Sequence, residues 1–236
     1  MSGFATDSFV VKEDLLLRVM KYQSETIFVY SVTDNHGDSK QCGEINAPCE
    51  SLNMGVKHII PSLYSQLLVW GQTEIVGKCD ARDVIIRSLQ SPSAALVHLN
   101  STINFNEGSL IRISGNVWIE RLKFNFCQLF TYSGSSIIHE ANGQISLSFK
   151  DFSSIGGING IETVVLNSTL LNIENGILHV DNCSVSFISF KKPSFLLSGK
   201  EISLTNMKLE HIEEWQMCLI LLTAKKSYLT EYQQTE

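Results

Sequence analysis

The chain has 236 residues, of which 44% are apolar, and it carries 18 Lys and Arg against 24 Asp and Glu, a net charge of −6. This length is enough to bury one continuous core, so a single domain is the default expectation. The acidic balance lacks the basic footprint that binds a nucleic-acid backbone, so we expect no nucleic-acid partner, and it disfavours an anionic membrane surface.

The two ends of the chain differ from its middle. Met1–Tyr22 is interrupted by Lys, Asp, Glu and Arg and lacks the apolar stretch of a signal peptide. We therefore expect residues 1–25 to be a poorly ordered extension. The longest late apolar run, Met217–Ala224, is too short to cross a bilayer, so we expect no membrane span and interpret residues 216–236 as a tail or truncated end. These features favour a fragment of a longer protein over an intracellular chain.

Residues 26–61 form the first structural unit. Ile27–Val32 is rich in β-branched and aromatic residues and predicts a strand, and Asp34–Ser39 has the composition of a turn. Apolar residues then recur at helical spacing from Leu52 to Ile60, and Pro61 ends the pattern. This helix is too short to be stable alone, so it must lie on an apolar surface.

Two of the six cysteines frame a short loop. Cys42 and Cys49 enclose Gly43 and Pro48, which are turn formers, so a Cys42–Cys49 disulfide is geometrically plausible. Two free thiols in a tight loop remain the alternative. The chain has no CxxC, which is the usual spacing of zinc fingers and thioredoxin-like sites.

Residues 62–215 contain short apolar strands and a repeat. The predicted strands are Leu67–Trp70, Glu74–Val76, Val84–Arg87, Leu110–Ile113, Ser136–Ile138, Leu170–Ile173 and Phe195–Leu197. Four segments, each preceded by a glycine, share apolar steps of two, three, two and three residues. They are Val117–Cys127 after Gly115, Ile145–Ile155 after Gly143, Leu178–Ile188 after Gly176 and Ile202–Ile212 after Gly199. In the second segment, Ile145 and Leu147 occupy the first two apolar positions of the repeat, and Lys150 occupies its middle position, where the other segments have an apolar residue.

The steps have a geometric meaning. A step of two is alternation along a strand, whereas a step of three resets the phase, as when the chain rounds a corner into a new strand on the same core. The repeat therefore favours a solenoid. Two alternatives stay open: an antiparallel meander with turns at Asn142-Gly143 and Asn175-Gly176, and a leucine-rich repeat, whose motif Leu178–Val185 mimics in part.

The opening block is the most specific feature of the chain. Ile27–Ser31, Gly37–Ser39, Cys42-Gly43 and Pro48-Cys49, followed by an amphipathic helix, resemble the opening of right-handed parallel β-helix proteins, the pectin-lyase-like superfamily. The cysteine-framed version is similar to that of large surface β-helix proteins of protists. The resemblance covers residues 26–215 and implies an all-β right-handed parallel β-helix solenoid. By the same analogy the helix is an N-terminal capping helix, because an open solenoid end would expose strand edges.

Members of this superfamily often cleave acidic polysaccharides with paired carboxylates. Of the hydrolase motifs this chain has only Arg121-Leu122-Lys123, which we interpret as a core-facing Leu122 between two solvated side chains. Asp80 and Asp83 flank Arg82, which predicts a surface turn with a local ion pair rather than a calcium site. We therefore assign no catalytic, cofactor-binding or metal-binding residues.

Histidines and sequons add little. We expect His58 to lie on the exposed side of the helix, and His139 and His179 to be solvated unless they stack on neighbouring coils. Cys127 and Cys183 fall in the apolar rhythm and are interpreted as core residues. The glycosylation sequons begin at Asn100, Asn167 and Asn182.

The sequence thus predicts a non-catalytic β-helix domain of a cell-surface or secreted protein, acting as a rigid scaffold or as an adhesive surface for glycans or proteins. A diverged polysaccharide lyase or glycoside hydrolase is the alternative, and a decayed gene product without function is a third hypothesis. Fold alone does not decide between them.

Overall fold

The structure is a computed structural model that describes residues 26–30, 42–61, 65–90, 93–99, 108–126, 134–140, 146–150, 153–156, 164–191, 195–210, 213–214, 220–222, 226–230 and 233–235. Within these residues the chain forms twenty β-strands and one short α-helix, so the predicted all-β class is confirmed. The extension predicted for residues 1–25 lies outside the described residues.

The helix is α1 (Leu52–His58), and the strands are numbered in chain order. They are β1 (Thr26–Val29), β2 (Gln66–Val69), β3 (Gln72–Glu74), β4 (Cys79–Ser88), β5 (Ala95–Leu99), β6 (Ser109–Glu120), β7 (Leu122–Phe126), β8 (Ser136–Glu140), β9 (Ser146–Lys150), β10 (Ser153–Gly156), β11 (Val164–Leu166), β12 (Thr169–Ile173), β13 (Ile177–Ser186), β14 (Ile188–Phe190), β15 (Phe195–Leu197), β16 (Glu201–Glu210), β17 (Glu213–Glu214), β18 (Ile220–Leu222), β19 (Lys226–Thr230) and β20 (Gln233–Thr235). Each strand predicted from the sequence overlaps one of these.

Every pairing between these strands is parallel. The antiparallel meander is therefore wrong for the described part of the chain. Asn175-Gly176 shows the reason: it joins β12 to β13, which do not pair with each other but with strands earlier and later in the chain. Parallel strands in stacked sheets are compatible with a β-helix-like fold.

Three long ladders contain most of the strands. Ladder one runs β1, β2, β4, β6, β9, β13, β16, β19. Ladder two runs β4, β6, β8, β12, β15, β18. Ladder three runs β3, β5, β7, β10, β13, β16, β20. The long strands β4, β6, β13 and β16 each belong to two ladders, and β11, β14 and β17 form a separate three-stranded sheet.

Apolar residues paired in register build much of the described core. One register column of ladder one runs through Ile27, Leu67, Ile86, Ile119, position 149, Val180, Leu204 and position 229. Ile27, Leu67, Ile86, Ile119, Val180 and Leu204 are all buried. Because parallel strands paired in register turn the same face inward, a two-residue apolar alternation becomes a continuous buried stack.

The predicted corners coincide with left-handed backbone. Arg121, Asn182 and Asn206 each lie inside a step of three and have φ of 52°, 52° and 51°. At each of these residues the chain passes from ladder one to ladder three. A single residue with positive φ redirects the strand, and asparagine tolerates that conformation better than most residues do. The step of three is therefore a corner, as the pattern predicts.

The alignment predicted for the second repeat segment is wrong by two residues. Leu147 pairs with Val117 and Phe149 pairs with Ile119, rather than Ile145 and Leu147 taking those positions. Lys150 accordingly occupies the register position of Glu120 rather than the middle position of the repeat. A slip of two residues leaves the same face of a strand inward, so apolar alternation alone cannot exclude it.

Helix α1 packs on the start of ladder one. Its N-cap is Ser51, whose hydroxyl accepts a hydrogen bond from the Met54 N–H at 3.3 Å. Leu52, Gly55 and Val56 form its buried face. The helix ends at His58, two residues earlier than predicted, since Ile59 is already extended.

The last strands continue the ladders rather than starting a new unit. β18 pairs with β15, while β19 and β20 pair with the two halves of β16. Parallel pairing therefore includes β18, β19 and β20, within the segment that the sequence suggests as a tail or truncated end. The domain boundaries at 61 and 215 stay predictions.

Candidate functional site

Two aromatic rings stack where the first two strands of ladder one end. Tyr30 follows β1 and Trp70 follows β2, and their ring centroids are 5.4 Å apart with an interplanar angle of 29°. The Tyr30 N–H donates to the Cys49 carbonyl at 2.8 Å, and the Trp70 N–H donates to the Val29 carbonyl at 2.9 Å. Trp70 is 50% exposed, so part of the indole is accessible to a ligand.

Gly71 makes this arrangement possible. Its φ of +63° turns the chain directly after Trp70. A Cβ at this position would lie 3.2 Å from Cε2 of Tyr30, so the tyrosine ring lies over the glycine backbone. Glycine is favoured here both by its conformation and by the space that the ring needs.

Leu89 extends the apolar surface. Its N–H donates to the Val69 carbonyl at 2.8 Å, which places it one strand beyond Trp70, and its side chain is 44% exposed. We call Tyr30, Trp70 and Leu89 the aromatic platform. Exposed Gln72 and Gln90 follow shortly after two of its members in the chain. Indole faces bind partly positive C–H groups, and glutamine amides both donate and accept hydrogen bonds, a combination suited to a sugar ring.

Sequence reasoning did not identify this platform, although a signal was present. In each case the residue follows the last inward residue of its strand: Val29-Tyr30, Val69-Trp70 and Ser88-Leu89. In all three strands a large apolar residue directly follows the last buried residue of the inward-outward alternation. A side chain at that position is expected to be exposed.

The Arg121-Leu122-Lys123 tripeptide places Leu122 in the core, as predicted. This leucine is buried, while Arg121 and Lys123 on either side are half-buried. Arg121 Nη1 lies 3.1 Å from Glu120 Oε1, and the backbone at Arg121 forms a corner. The tripeptide thus belongs to the scaffold.

The Asp80–Asp83 segment lies in β4 and not in a surface turn. Arg82 Nε is 3.4 Å from Asp83 Oδ2, so the local ion pair is confirmed, whereas Asp80 lies 3.9 Å from Arg112 Nε on the next strand. The other oxygen of Asp83 accepts the Asn116 N–H at 2.9 Å. The register shifts between Arg82 and Val84, where Asp83 has φ of 44°. This carboxylate therefore bridges two strands at a bulge.

The histidines do not assemble into one site. His139 lies in ladder two between Arg112 and Asn172, whereas His179 lies in ladder one. The ladder of two histidines considered from the sequence is therefore wrong. His58 was predicted to lie on the exposed side of α1. The residue is half-buried, and its Nε2 atom is fully buried, so this prediction is wrong.

A polar column lies on ladder three. His98 has Glu74 and Asn125 at the paired positions of its two neighbouring strands. The Asn125 side-chain amide lies 3.5 Å from His98 Nδ1. All three side chains are half-buried. Only one carboxylate takes part, so the column lacks the pair of carboxylates that glycoside hydrolysis uses.

The predicted disulfide is present. Cys42 and Cys49 are bonded across a separation of seven residues, and both are buried. A ring nitrogen of His58 lies close to both sulfurs. Within the described residues this is the one group of three or more His, Cys, Asp or Glu side chains whose ligand atoms converge, a candidate that the sequence spacing did not reveal.

Two other cysteines, Cys79 and Cys183, are core thiols outside the disulfide. Cys183 is 5% exposed, which confirms its predicted role as a small core residue. Burial, and to a lesser extent the Asp80 carboxylate, raises the pKa of the Cys79 thiol to about 12, so Cys79 is a poor nucleophile. Cys127, which was predicted to be a core residue, lies outside the described residues.

The asparagines of two sequons are exposed. Asn167 and Asn182 are exposed, and Asn182 stands at a corner. Asn100 lies outside the described residues. Glycosylation at the three positions stays a prediction.

These features define an all-β protein of parallel ladders with a partly exposed aromatic platform and a Cys42–Cys49 disulfide. Comparison with protein-family models, curated proteins and solved structures finds no match to this chain. No helix among the described residues has the length and apolar character needed to cross a membrane.

Proposed function

We propose that the chain is a right-handed parallel β-helix of the pectin-lyase-like kind that serves as a non-catalytic rigid scaffold, and that its aromatic platform binds glycans. The single observation that carries the binding role is the stacked, half-exposed Trp70 held on fixed strand ends. Because the two rings stack on hydrogen-bonded strand ends, a ligand would meet a preorganised surface, which lowers the entropic cost of binding.

The ladder arrangement supports the β-helix. The chain runs from β12 in ladder two to the first half of β13 in ladder one and the second half of β13 in ladder three, and it returns to ladder two at β15. A leucine-rich repeat would have one strand per repeat in a single parallel ladder. Three ladders visited in a fixed order fit one solenoid turn with three faces.

The N-terminal block supports the capping role. The free edge of β1 is hydrogen-bonded by the cysteine loop, because the Phe28 N–H donates to Gly43 at 2.8 Å and the Phe28 carbonyl accepts from Cys49 at 2.9 Å. Helix α1 covers the adjacent core through Gly55 and Val56. An edge covered in this way cannot pair with a second chain, which is the requirement for the end of a solenoid.

An extracellular or cell-surface location, as part of a longer protein, completes the proposal. A disulfide in a small loop and exposed sequons at Asn167 and Asn182 are features of secreted proteins. The enzyme alternative, a diverged lyase or hydrolase, needs several carboxylates that converge. Each ion pair seen among the described residues instead joins one carboxylate to one basic side chain, as Glu120 with Arg121 and Glu210 with Lys208.

The test uses the full chain on an array of neutral and acidic oligosaccharides, followed by calorimetry on any glycan that is bound. Trp70→Ala is compared with Trp118→Ala, a matched control because Trp118 is 44% exposed on ladder one but lies within β6, away from the platform. An aromatic contact contributes about 0.5–1.5 kcal/mol beyond area burial, so Trp70→Ala should raise Kd about tenfold.

The outcomes separate the hypotheses. Binding that is weakened by Trp70→Ala and unchanged by Trp118→Ala supports the platform. No binding to any glycan, or binding that depends on Trp118 and not on Trp70, contradicts the platform. Release of shorter sugars from an acidic polysaccharide would favour the enzyme alternative.

A further inference from the structure

A compact group of three ligand atoms lies under the cysteine loop. The sulfurs of Cys42 and Cys49 and a ring nitrogen of His58 all lie within 4.8 Å of one another. The sulfurs come from a loop that pairs with β1, and the histidine comes from the last turn of α1. Two separate elements therefore converge on one point.

The histidine has an unexplained nitrogen. Nε2 of His58 is buried and has no hydrogen-bond partner. Leaving a buried polar atom unpaired is unfavourable, and such atoms in native structures call for an explanation. A neutral imidazole nitrogen with a free lone pair is a common metal ligand.

The loop backbone holds the cysteines in place independently of their sulfur–sulfur bond. The Cys49 N–H donates to Phe28 at 2.9 Å, and the Gly43 N–H donates to Ala47 at 2.7 Å. The two Cα atoms are 4.8 Å apart. Zinc–sulfur bonds of about 2.3 Å in a tetrahedral site separate two sulfurs by roughly 3.8 Å, which rotation of the side chains can reach from this backbone.

We propose that Cys42, Cys49 and His58 form a metal site when the disulfide is reduced, and that the site takes a borderline-soft divalent cation such as zinc. Two thiolates and one imidazole match the ligand preference of zinc, whereas calcium and magnesium require oxygen ligands. Three protein ligands leave a fourth position for water. Metal binding by the loop is then controlled by its redox state. The disulfide form does not bind metal, and the dithiol form does.

The chemistry balances with a phosphine as the reductant. The phosphine breaks the sulfur–sulfur bond and is oxidised to its phosphine oxide with oxygen from water, which leaves two thiols. Zinc then binds the two sulfurs as thiolates and releases two protons. In a cell a dithiol would take the role of the phosphine and become a disulfide.

The test is a cobalt titration of the full chain before and after phosphine reduction, followed by displacement with zinc. Tetrahedral cobalt bound to thiolates absorbs in the near ultraviolet and the visible range, so the ligand set is read directly. We expect one cobalt per reduced chain and binding at least 100-fold weaker in the oxidised chain. Loss of outer-shell partners costs about 10–100-fold in affinity, so loss of the ligand in His58→Gln should cost at least tenfold.

Two controls assign the site. His179→Gln removes an exposed histidine on ladder one and should leave the affinity unchanged. The double variant Cys42→Ser, Cys49→Ser retains the core thiols of Cys79 and Cys183 and should lose the thiolate absorption. Equal binding by oxidised and reduced chains, or an unchanged affinity in His58→Gln, would overturn the proposal.

If reduction unfolds the chain, metal binding is instead followed by the recovery of the native circular dichroism spectrum. Recovery of the native spectrum when zinc is added to the reduced wild type, with no recovery in His58→Gln, supports the site. A reduced chain that stays unfolded in zinc would contradict it.

Discussion

The contact of helix α1 with ladder one rests on Gly55, and adding one methyl group there tests the packing. In Gly55→Ala the new Cβ would lie 2.5 Å from Cγ2 of Val29 and 2.8 Å from Cδ1 of Leu67. Both neighbours are fully buried and cannot turn toward solvent. Val29 is also β-branched, which restricts its rotamers.

Two opposing effects decide the sign. Alanine is favoured over glycine inside a helix by about 1 kcal/mol. Overpacking a core by one methyl group costs about 1–3 kcal/mol, and two contacts below 3.0 Å at Gly55 place this variant in the upper part of that range. We therefore expect a net loss of about 1–2 kcal/mol. For a chain of this size the Tm should fall by about 2–8 °C.

The assay is thermal and urea unfolding of Gly55→Ala beside Lys57→Ala, an exposed position on the same helix that should change stability by less than about 0.5 kcal/mol. Combining Gly55→Ala with Val29→Ala removes the nearest methyl group. The pair should then show a favourable coupling of about 1 kcal/mol. A Gly55→Ala chain more stable than the wild type, or zero coupling with Val29→Ala, would refute the described packing.

Three further predictions concern the backbone, the helix cap and the buried thiol. Gly115→Ala should lower the free energy of unfolding in urea by about 1–3 kcal/mol, because φ at this residue is +67° and the new Cβ would meet the Asp83 carboxylate. An unchanged free energy of unfolding would exclude this backbone conformation at Gly115. Ser51→Ala removes the acceptor for the Met54 N–H and should lower stability by about 0.5–2 kcal/mol, and no change in Tm would argue against the cap. Native Cys79 should resist alkylation at pH 9 as followed by mass spectrometry, and rapid modification of the folded protein would contradict its burial. The contribution of the Cys79 thiol to stability should be lost as the pH rises from 9 to 12, because the thiol has the lower pKa in the unfolded chain and loses its proton there first.

Local patterns predicted the strands and corners. Alternation of apolar residues is a property of a few consecutive residues, so β15 is predicted at Phe195–Leu197, as found in the structure. The step of three across Asn182 and Asn206 marked the left-handed corners for the same reason, because only a change of direction keeps both flanking residues on one core. The disulfide also followed from local spacing.

Register could not be predicted in the same way. Placing Ile145 or Leu147 opposite Val117 gives the same alternation, so the choice depends on how whole strands fit beside each other. The sequence also suggested a surface turn around Asp83, whereas the structure uses its carboxylate to bridge two strands. Asn116, whose N–H donates to the Asp83 carboxylate, lies 33 positions later in the chain, so no local sequence pattern indicates this contact.

By itself the sequence determined the all-β class, the rhythm of short strands, their corners and the cysteine loop, since each depends on neighbours in the chain. Only the tertiary structure decided which surfaces can act. Tyr30 and Trp70 become a platform because β1 and β2 are paired in register, and His58 reaches Cys42 because α1 packs against ladder one. Stacking and metal ligation require atoms within a few ångströms of one another, and residues far apart in sequence meet that condition only once the chain has folded.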